Sequence, residues 1–84
     1  MYKYLAIALN KADDSVEQMY LYKNTKTNII YITQMYPYSA KFTGDILIDD
    51  MLYSTIYEPQ IVSENDITQG YTKYWNQEWI IKYM

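Results

Sequence analysis

The stretch from Gln18 to Tyr36 reads QMYLYKNTKTNIIYITQMY, and its reading decides the fold. Two runs rich in β-branched and aromatic residues, Gln18 to Lys23 and Asn28 to Tyr36, flank the polar Asn24-Thr25-Lys26-Thr27, which predicts a β-hairpin with a polar loop. Strand alternation puts Met19 and Leu21 on one face and Tyr20 and Tyr22 on the other, with Ile30 and Ile32 opposed to Ile29 and Tyr31. Neither face is polar. A hairpin of this kind is either central and covered on both sides, or keeps one face for a partner.

Upstream, strict alternation from Lys3 to Leu9 predicts a strand with Leu5, Ile7 and Leu9 on one face and Tyr2, Tyr4, Ala6 and Ala8 on the other. Asn10 to Val16 is polar and reads as a connection, although Asp14 with Glu17 three residues later also suits a short helix cap. Downstream, Pro37 lacks an amide donor and Pro37 to Thr43 reads as a loop. Gly44 to Ile48 and Met51 to Tyr57 are two further β-prone runs with Asp49-Asp50 at the reversal, while Ile48, Met51, Leu52, Thr55 and Ile56 also suit a helix.

The sharpest local signal follows Pro59. Ser63 stands three residues before Asp66, a short form of the capping box, and Val62 and Ile67 occupy the two positions of a hydrophobic staple, so a helix is predicted from Glu64. At helical spacing Ile67, Tyr71, Tyr74, Trp75 and Ile81 share a stripe, with Gly70 a weak point and Trp75 and Trp79 as buried anchors. Glu78 to Tyr83 also reads as a terminal strand. The expected fold class is α+β: residues 1–84 as one domain, an antiparallel β-sheet of roughly four to five strands and one C-terminal helix, with an all-β meander as the alternative.

Charge is sorted along the chain. Between Phe42 and Thr72 stand six carboxylates (Asp45, Asp49, Asp50, Glu58, Glu64, Asp66) and no lysine, whereas all 7 lysines lie outside that block and the whole chain carries −3. The chain has no His, Cys or Arg, so the usual general base, thiol nucleophile and anion clamp are missing and no enzyme chemistry is expected. No cofactor or metal is expected either: Asp45, Asp49 and Asp50 are the nearest approach to a metal cluster, and they lack the alternate spacing and glycine of a Ca²⁺ loop. Net acidity and the missing arginine speak against direct binding to duplex nucleic acid. The apolar run near Met1 is short for a leader and nothing approaches a membrane span, so a cytoplasmic chain in a host cell is expected. The abundance of Ile, Tyr and Lys fits an AT-rich coding sequence of the kind phages and mobile elements carry.

Two sets of residues are candidates for function. The carboxylates Asp45, Asp49, Asp50 and Glu58 suit a negative surface that docks on a basic site of another protein. On one strand Asp45 and Asp49 would lie about 13 Å apart, too far for neighbouring phosphates, so a DNA mimic would need acids from different elements. Among the 12 tyrosines, Tyr20, Tyr22, Tyr31, Tyr36 and Tyr38 around the first hairpin suit a contact face. In gross character (short, acidic, rich in aromatics, without catalytic residues) the chain resembles the small inhibitors of phages and mobile elements, such as anti-CRISPR proteins and inhibitors of uracil-DNA glycosylase. The likeness covers no motif. It implies an inhibitor whose acidic face blocks a basic, nucleic-acid-binding site on a host or defence protein, such as a CRISPR effector or a DNA-repair enzyme. The alternatives are a self-assembling phage accessory protein, in the simplest case a homodimer, and a single-strand binder that stacks bases on Tyr20, Tyr22 and Tyr31.

Overall fold

The computed structural model describes residues 1–13, 15, 16, 18–37, 44–55 and 58–83, with backbone alone at 36, 37, 44, 45 and 83. The expected turn or cap at Asp14 and Glu17, the loop from 38 to 43 with Tyr38, and the strand end at 56 and 57 lie outside the described residues. The chain is sheet-dominated with one short helix. In order come β1 (Tyr2–Asn10), β2 (Met19–Asn24), β3 (Ile30–Thr33), β4 (Met35–Pro37), β5 (Gly44–Ile48), β6 (Met51–Thr55), β7 (Gln60–Val62), α1 (Glu64–Gln69), β8 (Tyr71–Tyr74) and β9 (Gln77–Tyr83).

The first hairpin forms as its residues dictate. Tyr20 to Lys23 of β2 pair antiparallel with Thr33 to Ile30 of β3, and the loop is held by the Asn24 side chain, which accepts from the amides of Lys26 and Thr27. Asn28 adopts the left-handed conformation that closes it. Both faces are covered, as a central hairpin requires. Met19, Leu21 and Ile32 enter one cluster with Ala6, Ala8, Val62, Trp79 and Ile81. Tyr22 enters a second with Met35 and Ile48, edged by Tyr2, Tyr4, Tyr20 and Tyr31.

The sheet is open and mixed, in the order β4-β6-β5-β1-β2-β3-β7, with β9 also on β1 and β8 on β9. It is not wholly antiparallel. β1 pairs with β2 along one edge; its other edge serves β5, in parallel at Tyr2 and Ile48, and then β9, antiparallel from Ala6 to Asn10. Only Gln34 separates β3 from β4, yet four strands stand between them in the sheet. A one-residue link spans less than about 8 Å between its neighbouring Cα atoms, so the sheet has to curl like a barrel, and the tyrosine cluster lies within the curl.

One irregularity in β1 splits the two clusters. The pairing shifts between Tyr4 and Ala6, and the extra residue, Leu5, makes a bulge that reverses which residues face which side. The expectation that Tyr2, Tyr4, Ala6 and Ala8 share a face is therefore corrected: Tyr2 and Tyr4 turn to the tyrosine cluster, while Leu5, Ala6 and Ala8 turn to the other.

The second hairpin, β5 with β6, has the predicted turn. Asp49 and Asp50 both have positive φ, at 48° and 65°, the type I′ geometry that joins antiparallel strands in two residues and that Asp tolerates. The helical alternative for Ile48 to Ile56 is excluded over the described residues, since Met51 to Thr55 is a strand. Pro37 closes β4 instead of opening a loop, and among the described residues β4 pairs only with β6, so the missing amide falls on an edge strand.

Ser63 caps α1 by accepting from the Asp66 amide, and Val62 and Ile67 meet in the aliphatic cluster as the staple predicts. The Asp66 carboxylate, expected to reach back to Ser63, accepts instead from the Thr72 hydroxyl at 2.7 Å. The helical stripe through Ile81 is corrected. Gly70, at φ 84°, donates to the Asp66 carbonyl and ends the helix as a left-handed cap. The chain then forms the β8–β9 hairpin, turning at Trp75 and Asn76, both with φ 57°. Trp75 stands 54% exposed on that turn, and Trp79 alone is a core anchor, donating its indole N–H to the Tyr74 carbonyl.

Candidate functional site

The tyrosine cluster does not fill the curl. A cavity of about 660 Å³ opens beside it, within the range of sites that take small molecules or peptide side chains, roughly 300 to 1,000 Å³. Five strands build it. β1 contributes Tyr2, the first hairpin contributes Tyr22 and Tyr31, and Ile46 of β5 and Thr55 of β6 complete the inner lining. At the exposed mouth stand Met1, Leu47, Asp49, Asp50 and Glu58.

The rings form one aromatic wall. Tyr22 and Tyr31 stack at 5.3 Å with 22° between their planes, and Tyr2 meets both edge-on, at 5.3 Å and 6.4 Å, arrangements that aromatic quadrupoles favour. Tyr22 is only 2% exposed. Burial, followed by the neighbouring Tyr2, Tyr31 and Tyr74, holds its hydroxyl well above the usual tyrosine range. At the other end of the cluster, Tyr4 and Tyr20 pair at 5.9 Å, and burial followed by the Tyr20 and Tyr53 hydroxyls pushes Tyr4 up to about 12.

The rim is negative. The main chain fixes Asp49, whose amide donates to the Tyr2 carbonyl and whose Oδ2 accepts from the Tyr4 amide at 3.0 Å. Glu58 is tied through its carbonyl, which accepts from the Tyr74 hydroxyl, so its carboxylate is left to solvent. Among the described residues the ion pair is Lys11 with Glu78, remote from the cavity. None of the three rim carboxylates is neutralised by a lysine there.

Of the residues the sequence nominates, the structure brings Asp49, Asp50, Glu58, Tyr22 and Tyr31 to this one cavity. Tyr20 lies in the same cluster but lines no part of the opening. Asp45 sits on β5, paired with Ser54, and Tyr36 on β4, also paired with Ser54; their side chains lie outside the described residues. The acidic block is not one continuous face. Glu64 and Asp66 belong to α1, which packs through Ile67 on the aliphatic cluster, the opposite side of the sheet. Sequence reasoning did not find Tyr2, Ile46 or Thr55 as lining residues; the alternation that placed Ile46 and Ile48 together was the available signal for one of them.

Among the described residues no group of three or more His, Cys, Asp or Glu could hold a metal ion. The site presents aromatic ring surface, a phenolic hydroxyl and carboxylates that no lysine pairs with among the described residues. Tyr22 is buried, Tyr20 packs edge-on against Tyr4, and Tyr31 stacks on Tyr22 while lining the cavity. The first hairpin, whose two apolar faces suggested self-pairing, is covered on both sides by its own chain. No helix among the described residues is long and apolar enough to cross a membrane. Comparison with protein-family models, with curated proteins and with solved structures gives no match.

Proposed function

We propose that this protein is a non-enzymatic binding module that grips a basic element of a partner protein at the mouth of the tyrosine cavity. The reading rests on one observation: Asp49, Asp50 and Glu58, drawn from two separate elements, converge on the cavity that Tyr22 and Tyr31 line. Beside that rim, Leu47 and Leu52 pair across β5 and β6 and, with Met51, remain exposed on the strand pair that carries Asp49 and Asp50. Apolar contact area next to charge is the anatomy of a protein interface. Negative charge gathered at an opening steers a basic partner toward it.

In a cell, such a module acts as an inhibitor of the phage or mobile-element kind, covering a surface on a host or defence enzyme that otherwise holds nucleic acid. Acids supplied by the β5–β6 turn and by the approach to β7 meet the requirement that a phosphate-like array come from more than one element. The test compares proteins captured from a bacterial lysate by the native chain and by D49K/D50K/E58K, each challenged with duplex DNA. Capture that DNA releases and that the triple variant loses supports the reading. Capture equal in both chains, or untouched by DNA, removes the acidic rim from the mechanism.

A further inference from the structure

The cavity is lined by a polar group that has no hydrogen-bond partner among the described residues. Tyr22 is 2% exposed, its ring packs against Tyr2 and Tyr31, and Tyr74 lies near enough to act on its hydroxyl. Its hydroxyl has no hydrogen bond to another described residue. Yet no fully enclosed side-chain oxygen or nitrogen among the described residues lacks a partner, so the hydroxyl keeps an opening to solvent. The opening available to so buried a residue is the cavity that it lines. A buried hydroxyl left in that state is an acceptor and donor held ready for a ligand.

Three features define the ligand. It meets ring surface, because the half-buried Tyr2 and Tyr31 line the same cavity. It meets three carboxylates at the rim that no lysine compensates among the described residues. The rings themselves touch at 5.3 Å in a stacked pair, so they make a wall and not an open cage around a compact ammonium. A flat cation suits a flat wall. The guanidinium group is planar, stacks on aromatic faces, forks to carboxylates and carries five donors, one of which the Tyr22 hydroxyl can accept.

Resting on the binding module read above, we infer that the cavity takes an arginine side chain of the partner protein, its guanidinium stacked on the tyrosine wall and bonded to Tyr22, with Asp49, Asp50 and Glu58 around its charge. The occupant is foreign, because the chain contains no arginine and a second copy has none to offer. Lysine, a compact and strongly hydrated point charge, fits this wall less well.

The experiment titrates the full chain with blocked Gly-Arg-Gly and Gly-Lys-Gly tripeptides and follows backbone amides by NMR. Saturable shifts at Tyr2, Tyr22, Tyr31, Asp49 and Asp50 are expected, with the arginine peptide about fivefold tighter or more. Y22F, which keeps the ring, weakens the arginine peptide several-fold while amides remote from the cavity stay in place, and D49N/D50N/E58Q weakens both peptides. Equal affinity for the two peptides, or a Y22F chain that binds arginine as before, overturns the arginine assignment and leaves the acid-rimmed binding module standing. Absence of saturable shifts with either peptide overturns both.

Discussion

The two sides of the central sheet are built from different materials and finished to different degrees. On one side, Leu21, Ile32, Val62, Trp79 and Ile81 close over Ala6 and Ala8, and the polar groups that enter are answered: the Trp79 indole by the Tyr74 carbonyl, the Thr72 hydroxyl by Asp66. On the other, tyrosines enclose a cavity and Tyr22 keeps a hydroxyl without a hydrogen-bond partner among the described residues. The same sheet backs both. The contrast separates a layer that stabilises the fold from one that leaves binding groups unspent, and mutations on the two sides therefore differ in kind.

The largest effect belongs to the finished side. Trp79, buried in the cluster that includes Ala6 and Ala8, loses its ring and its hydrogen bond in W79A, and unfolding in urea is expected to show a loss of about 3 to 5 kcal/mol. A loss below about 1 kcal/mol would mean that the aliphatic layer is not what holds the domain together. In this small domain a loss of the expected size removes much of the stability available.

An alkaline titration reads the other side. An unfolded tyrosine ionises near 10, whereas Tyr4 is pushed up to about 12 and Tyr22 higher still, in both cases chiefly by burial. Between those values the unfolded chain has released protons that the folded chain retains, so stability falls as pH rises. Below pH 10 these tyrosines give no pH dependence; the decline begins there and continues through pH 12. Y4F and Y22F each make the alkaline decline shallower, measured as the urea midpoint against pH. A decline of unchanged slope in both variants would place these hydroxyls in water.

Much of this division was legible in the sequence, and the reasons for the remainder are specific. The alternation in β2 and β3 sorted Leu21 and Ile32 from Tyr22 and Tyr31 because burial on two sides fixes the register of a strand. The Asp49-Asp50 reversal and the Ser63 cap were legible because turns and caps depend on local chemistry. The bulge at Leu5 was not, since a strand alternating cleanly between apolar residues hides a change of face. Nor was the end of α1. Gly70 was read as a weakness inside a helix when its positive φ makes it the stop signal, and Tyr74 and Trp75 satisfied helical spacing by coincidence while Thr72 with Tyr74 on β8 and Trp79 with Ile81 on β9 follow the strand period. The cavity itself was half legible. Its acids stood out by charge, but that they meet Tyr22 and Tyr31, and not Glu64 and Asp66, depends on the curl, which follows from long-range pairing.

The smallest effect gives the finest test of the comparison, because it removes one hydroxyl from each side. T72V deletes a buried donor at 2.7 Å from the Asp66 carboxylate; hydrogen bonds to charged groups are worth about 1.5 to 3 kcal/mol, and the carboxylate left behind loses a partner at the start of β8. Y22F deletes a hydroxyl that no described residue bonds to, from a ring whose stacking on Tyr31 survives the change. Its stability at neutral pH is expected to stay within about 0.5 kcal/mol of the native chain, or to rise slightly, because no donor or acceptor is left without its partner. The two urea midpoints, measured side by side, should move by clearly different amounts. If Tyr22→Phe costs as much as Thr72→Val, the tyrosine hydroxyl already has an occupant within the chain, and the cavity side is as finished as the other.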